Sequence, residues 1–122
     1  MKTLFLTLWM LLIAPAVYIS IYNPLPAPLS DSGICVTEFN ASFNASNSVS
    51  WMDSLSDCKG KRVDIAANPA MQKEHKIVVV PTIIIFNEGV EVKRFQANIM
   101  MQLEATQDDI QEAIDEIIMS AF

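Results

Sequence analysis

Glycine is scarce in this 122-residue chain, which has only Gly33, Gly60 and Gly89. Three isolated glycines cannot build a phosphate cradle, and neither G-x-G-x-x-G nor the Walker pattern occurs. Histidine is limited to His75, which stands among Lys73, Glu74 and Lys76. A metal centre needs convergent ligands and none are spaced for one, so His75 is expected on the surface. No Ser-His-Asp signature accompanies it. Basic residues number 8 against 14 acids, a formal charge of −6, which leaves no patch for nucleic acid. Cysteine is limited to Cys35 and Cys58, twenty-three residues apart, so the chain has no C-x-x-C. Two buried core thiols are expected, with a structural disulfide as the alternative in an oxidising compartment.

The N-terminal region, by contrast, has an uncharged run. Thr3 to Tyr22 carries no charged residue. As a helix it spans about 30 Å, the thickness of a bilayer core. Tyr18 and Tyr22 stand near one end, where interfacial aromatics collect, and Pro15 is tolerated in such a helix. Residues 1–23 therefore read as a transmembrane anchor in contact with the bilayer through 3–22. The rival reading is a cleaved secretory signal, with Lys2 as the n-region and Ala14-Pro15-Ala16 as a small-residue cleavage pattern. Lys2 is the nearest cation, and the far side has no Lys or Arg until Lys59. The positive-inside rule then puts the N-terminus in the cytosol or matrix. The domain lies opposite, in a lumen, the periplasm or the mitochondrial intermembrane space. Residues 24–32, with Pro24, Pro26 and Pro28, read as a proline-rich spacer.

Residues 33–122 read as one small domain. Gly33 to Ala41 is β-rich and gives a first strand. Trp51, Met52 and Leu55 give a short helix over Ser50 to Asp57, ended by Lys59-Gly60-Lys61. Arg62 to Ala66 is a second strand. Asn68-Pro69 opens a helix as N-cap and N1, running to about Lys76. Thr82 to Phe86 is a strand, and Asn87-Glu88-Gly89 turns it into another. There Val90, Val92 and Arg94 share one face, and Glu91, Lys93 and Phe95 the other. Thr106 caps a final helix with Asp109 three residues on, and Ile110, Ala113, Ile114, Ile117 and Ala121 form its apolar stripe. That helix carries most of the six acids that follow from Glu104 without a base, and they read as a solvated face; a surface for a basic partner is the alternative. Met100 and Met101 are expected in the core.

Three stretches in this order resemble the thioredoxin family. They are Glu38-Phe39-Asn40-Ala41-Ser42-Phe43, the span from Asn68-Pro69 to Pro81-Thr82, and the hairpin from Asn87 to Val92. The resemblance covers about Ile34 to Met119 and implies an α/β, minimal thioredoxin-like fold, β-α-β-α-β-β-α, here preceded by one transmembrane helix. It also implies a cis Val80–Pro81 bond beside the start of the first core helix. The extra N-terminal strand and helix of full thioredoxins are missing, and the first core helix is about two turns short.

In that resemblance the redox cysteines fall on Asn44 and Asn47. Asparagine forms no thiolate and exchanges no disulfide. Glu38 matches the family's buried acid but has no thiol to serve, and Gln96 stands where a glycine is common. The sequons Asn40-Ala-Ser42 and Asn44-Ala-Ser46 matter only in a secretory lumen. The expectation is a redox-inactive, cofactor-free binding module, an accessory or assembly subunit packed against other membrane protein subunits. The alternatives are an oxidoreductase or folding factor working through Cys35 and Cys58, and a secreted binding protein after signal cleavage.

Overall fold

The computed structural model describes residues 32–122. The anchor, and all of the spacer but Ser32, lie outside the described residues. Among those described, no helix is long and apolar enough to cross a membrane. Two strands dominate the centre: β1 (Ile34–Asn40) and β3 (Thr82–Asn87). Both are runs of β-branched and aromatic residues, and both are buried along nearly their whole length. A near-continuous apolar strand of this kind must be covered on both faces. β2 (Lys59–Asp64) and β4 (Val90–Gln96) flank them in the order β2-β1-β3-β4. β1 runs parallel to β2, with Cys35 opposite Lys59, and antiparallel to β3.

Alternation along β1 and β3 divides the core between the two faces. On one face Cys35, Phe39, Ile84 and Phe86 pack with Ile65, Ile77 and Val80, and Met71 joins them from helix α1 (Pro69–Glu74). On the other, Val36, Ile83 and Ile85 meet Ile110, Ala113 and Ile114 of helix α2 (Gln107–Ser120). Full burial of each such aliphatic side chain contributes roughly 2 kcal/mol. α2 starts at the capping box read from the sequence. Thr106 Oγ1 accepts from the Asp109 amide, and Asp109 Oδ2 accepts from the Thr106 amide at 2.8 Å. Ala121 lies beyond the end of α2 and is exposed.

Several expectations are corrected. No α-helix forms between β1 and β2. Two 3-10 segments, Ser42–Asn47 and Met52–Ser54, stand there instead. The stretch from 50 to 57 is rich in serine and aspartate, which favour turns over helix interiors. It is fastened to α2 from outside: Gln111 accepts from the Ser56 amide at 2.8 Å and donates to the Ser56 carbonyl at 3.2 Å. Lys59-Gly60-Lys61 is therefore not a helix end but the beginning of β2, which finishes at Asp64 rather than Ala66. α1 stops at Glu74, and the Asn68 side chain makes no capping bond to it.

The β3–β4 loop has two residues, Glu88 and Gly89, both at positive φ (51° and 79°), as a tight hairpin requires. The faces of β4 differ from the alternating pattern because the register slips between Ile85 and Phe86. Glu91 thereby shares a face with Arg94, which it binds at 2.7 Å. Arg94 also donates to the carbonyls of His75 and Lys76, at 2.7 and 3.0 Å. His75 is not a free surface residue: its ring packs against Phe39 and Phe86, at 5.3 and 5.4 Å between centroids.

Candidate functional site

At the C-terminal end of β1 the chain turns through Ala41 into the first 3-10 segment, which brings Asn44 beside the Val80–Pro81 peptide. That peptide is cis, as the resemblance implies. Asn44 is only 4% exposed. Its amide group is shared among Asn40 Oδ1 at 3.2 Å, the Val80 carbonyl at 3.4 Å and the Met101 carbonyl at 3.1 Å. Its Oδ1 accepts from Asn47 Nδ2 at 2.8 Å. Asn40 in turn donates to the Asn44 carbonyl and to Ser48 Oγ, at 3.1 and 2.8 Å. Asn40, Asn44 and Asn47 are spaced by four and then three residues, a signal by which this cluster was recognisable in the sequence. The partners across the fold, Val80 and Met101, carried no such signal. Both sequon asparagines are buried and engaged.

This network occupies the place that the resemblance assigns to the redox pair. It contains carboxamides, a hydroxyl and backbone carbonyls, and no group that ionises near neutral pH. The arrangement ties two loops to the first 3-10 segment. One is the loop before Pro81. The other is residues 97–102, drawn tight by Asn98, whose Oδ1 accepts from the amides of Met100 and Gln102 at 2.9 and 3.2 Å. Met101 sits at φ 57°, an uncommon conformation for a residue with a side chain.

Glu38 lies beneath, 1% exposed. It forms an ion pair with Arg62 of β2 and accepts from the Val49 amide at 2.8 Å. Arg62 also donates to the Val49 carbonyl at 2.7 Å. Arg62 was missed in sequence, since only the parallel register of β1 on β2 sets it opposite Glu38.

The cysteines lie outside this network. Both are free thiols. Cys35 belongs to the cluster on one face of the sheet, and Cys58 packs against the cluster on the other. Burial pushes the Cys58 thiol up, with further contributions from Cys35 and Asp57.

Beside Val80 and Met101, whose carbonyls Asn44 binds, lies an open groove of about 380 Å³, bordered also by Phe43, Ile65, Val78 and Ile99. None of its lining residues is charged. Phe43, Val78 and Ile99 are 75%, 79% and 100% exposed. Met100 and Met101 also face solvent, contrary to the expectation of core packing. A tight, polar-stapled loop forces them outward. Among the described residues no group of histidine, cysteine or carboxylate side chains could hold a metal ion.

No protein-family model matches the sequence, and no curated protein matches it. Solved structures do. The chain is similar to a mutant thioredoxin from Halobacterium salinarum, with 18% identity over 71% of this chain and 76% of that one, TM-score 0.59. It is similar to oxidised thioredoxin from Plasmodium falciparum, with 13% identity over 75% and 86%, TM-score 0.54. Thioredoxin from Fasciola hepatica shares 18% identity over 71% and 83%, TM-score 0.53. At such identities the likeness speaks for architecture alone: the domain has a thioredoxin-like α/β fold.

Proposed function

We propose that this chain is a non-catalytic, membrane-anchored thioredoxin-like binding module, an accessory or assembly subunit of a membrane protein complex. The observation that carries this reading is Asn44, which is buried where the resemblance puts the nucleophile, with its carboxamide committed to two loops. A scaffold whose reactive position has become a structural tether retains one use for the surface around it, which is recognition. The uncharged groove beside Pro81 is that surface. Its exposed Phe43, Val78 and Ile99 would exclude water from an apolar segment of a neighbouring subunit.

The thiol reading is the weaker one. Cys35 is 1% exposed, and Cys58, with its raised pKa, has less thiolate at neutral pH than an ordinary cysteine. Anchoring through 3–22 rests on sequence: its length, its lack of charge and the one-sided placement of Lys2. Partners are other membrane subunits and the bilayer, not nucleic acid, and no cofactor is invoked. A photo-crosslinking residue at Ile99 in the membrane-bound protein tests the reading. Adducts to an integral-membrane neighbour, lost in Val78→Asp, are expected. Absence of any protein adduct would refute it.

A further inference from the structure

The groove carries no thiol, but its rim carries sulfur. Met101 lines it and Met100 stands next in the chain; they are 41% and 69% exposed. We propose, resting on the docking reading above, that these two thioethers are a modification site. Oxidation to methionine sulfoxide by a hydroperoxide closes the groove to its apolar partner, and reduction reopens it.

The loop that presents them is held by backbone bonds and by two asparagines. Asn98 Oδ1 accepts from the amides of Met100 and Gln102 at 2.9 and 3.2 Å. The Met101 amide donates to the Asn98 carbonyl at 3.0 Å, and Asn44 donates to the Met101 carbonyl at 3.1 Å. None of these bonds involves sulfur. Oxygen added there leaves the loop in place and changes only the surface it presents. The other described methionines differ. Met52 is buried, and Met71 is partly buried against the core. Met119 is exposed but belongs to α2, which covers the opposite face of the sheet. Thiols compete weakly for an oxidant, since Cys35 is buried and the raised Cys58 thiol holds its proton.

The reaction needs a peroxide and no protein catalyst. A lone pair of the thioether attacks one peroxide oxygen. The S–O bond forms as the O–O bond breaks. The hydroxide that leaves takes the proton of the transferred hydroxyl and departs as water. Sulfur loses two electrons and the peroxide gains them. A dithiol reverses the change: the sulfoxide oxygen leaves as water and the dithiol becomes a disulfide. The product is polar where the lining is uncharged and mostly apolar. The side-chain amides of the lining, Gln72 and Asn98, already donate to the Ile77 carbonyl at 3.4 Å and to Glu104 at 3.3 Å. In the open groove water solvates the sulfoxide. Beneath an apolar partner that water is lost, and docking should weaken about tenfold or more.

The test uses purified full chain in detergent micelles, with a photo-crosslinking residue in place of Val78. It is treated with hydrogen peroxide, freed of excess peroxide by catalase, mixed with detergent-solubilised membranes and irradiated. Peptide masses should show one added oxygen on Met100 and on Met101 and none on Met52. Adduct to the membrane neighbour should fall about tenfold or more. It should return after treatment with dithiothreitol and the two methionine sulfoxide reductases, one for each sulfoxide epimer. Met100→Leu combined with Met101→Leu should keep the adduct through peroxide, whereas Met119→Leu should lose it as the wild type does. The urea midpoint should not move. Undiminished adduct from a chain oxidised at Met100 and Met101 would overturn the proposal and leave the docking reading standing. Equal loss in the double leucine variant would overturn it too, as would a loss accompanied by a lowered urea midpoint. Absence of adduct before any peroxide would remove the docking reading and the proposal together.

Discussion

Asn44 does with hydrogen bonds what a redox cysteine could not. It bridges the loop before Pro81 and the loop holding Met101, which are distant in sequence. Replacing it by alanine leaves those carbonyls and Asn40 Oδ1 short of a donor in a buried place. Asn44→Ala should therefore destabilise the domain by about 1–3 kcal/mol in urea unfolding. At the surface, Thr106 and Asp109 act as a reciprocal cap. Thr106→Ala should cost about 1 kcal/mol. Hydrogen bonds from the Thr106 backbone and side chain lower the Asp109 pKa, and a hydrogen bond from Arg94 lowers that of Glu91. A lowered folded-state pKa contributes stability that is fully present above the unfolded value, about 4, and is lost as pH falls through the folded value. The urea midpoint should therefore drop on acidification below about pH 4. Asp109→Asn should make that drop shallower, and an unchanged pH profile would count against the cap.

Elements differ in how far the sequence announced them. β1, β3 and α2 were legible because their patterns are local and long: apolar runs, and a capped stripe of period 3.6. The β3–β4 turn was legible from Asn87-Glu88-Gly89. At Gly89, φ is 79° and an added Cβ would meet nothing within 4 Å, so only backbone conformation opposes a side chain. Gly89→Ala should cost about 1 kcal/mol by thermal unfolding. The segment from 42 to 58 was not legible as it stands. Trp51, Met52 and Leu55 have helical spacing, yet Met52 alone of the three is fully buried, and Gln111 of α2 fixes the loop through its backbone. The β4 bulge was hidden too, because a single extra residue leaves no mark on composition. Of the candidate site, Glu38, Asn44, Asn47 and Pro81 were legible through the resemblance. Arg62, Met101 and the exposed Ile99 were not, since they depend on strand register and loop closure.

At the scale of the molecule, an apolar N-terminal stretch of sequence precedes a thioredoxin-like domain with an uncharged groove. The segment Thr3 to Tyr22 offers no polar face, so the protein should resist alkaline carbonate extraction and require detergent for release. Recovery in the soluble carbonate fraction would remove the anchor and favour a secreted binding protein. The central claim, recognition without thiol chemistry, is tested most directly by reduction of insulin disulfides in the presence of dithiothreitol and the full chain in micelles. The account predicts a rate equal to that without the protein, and the same rate for Cys35→Ser and Cys58→Ser. Catalysed reduction that either substitution abolishes would contradict it.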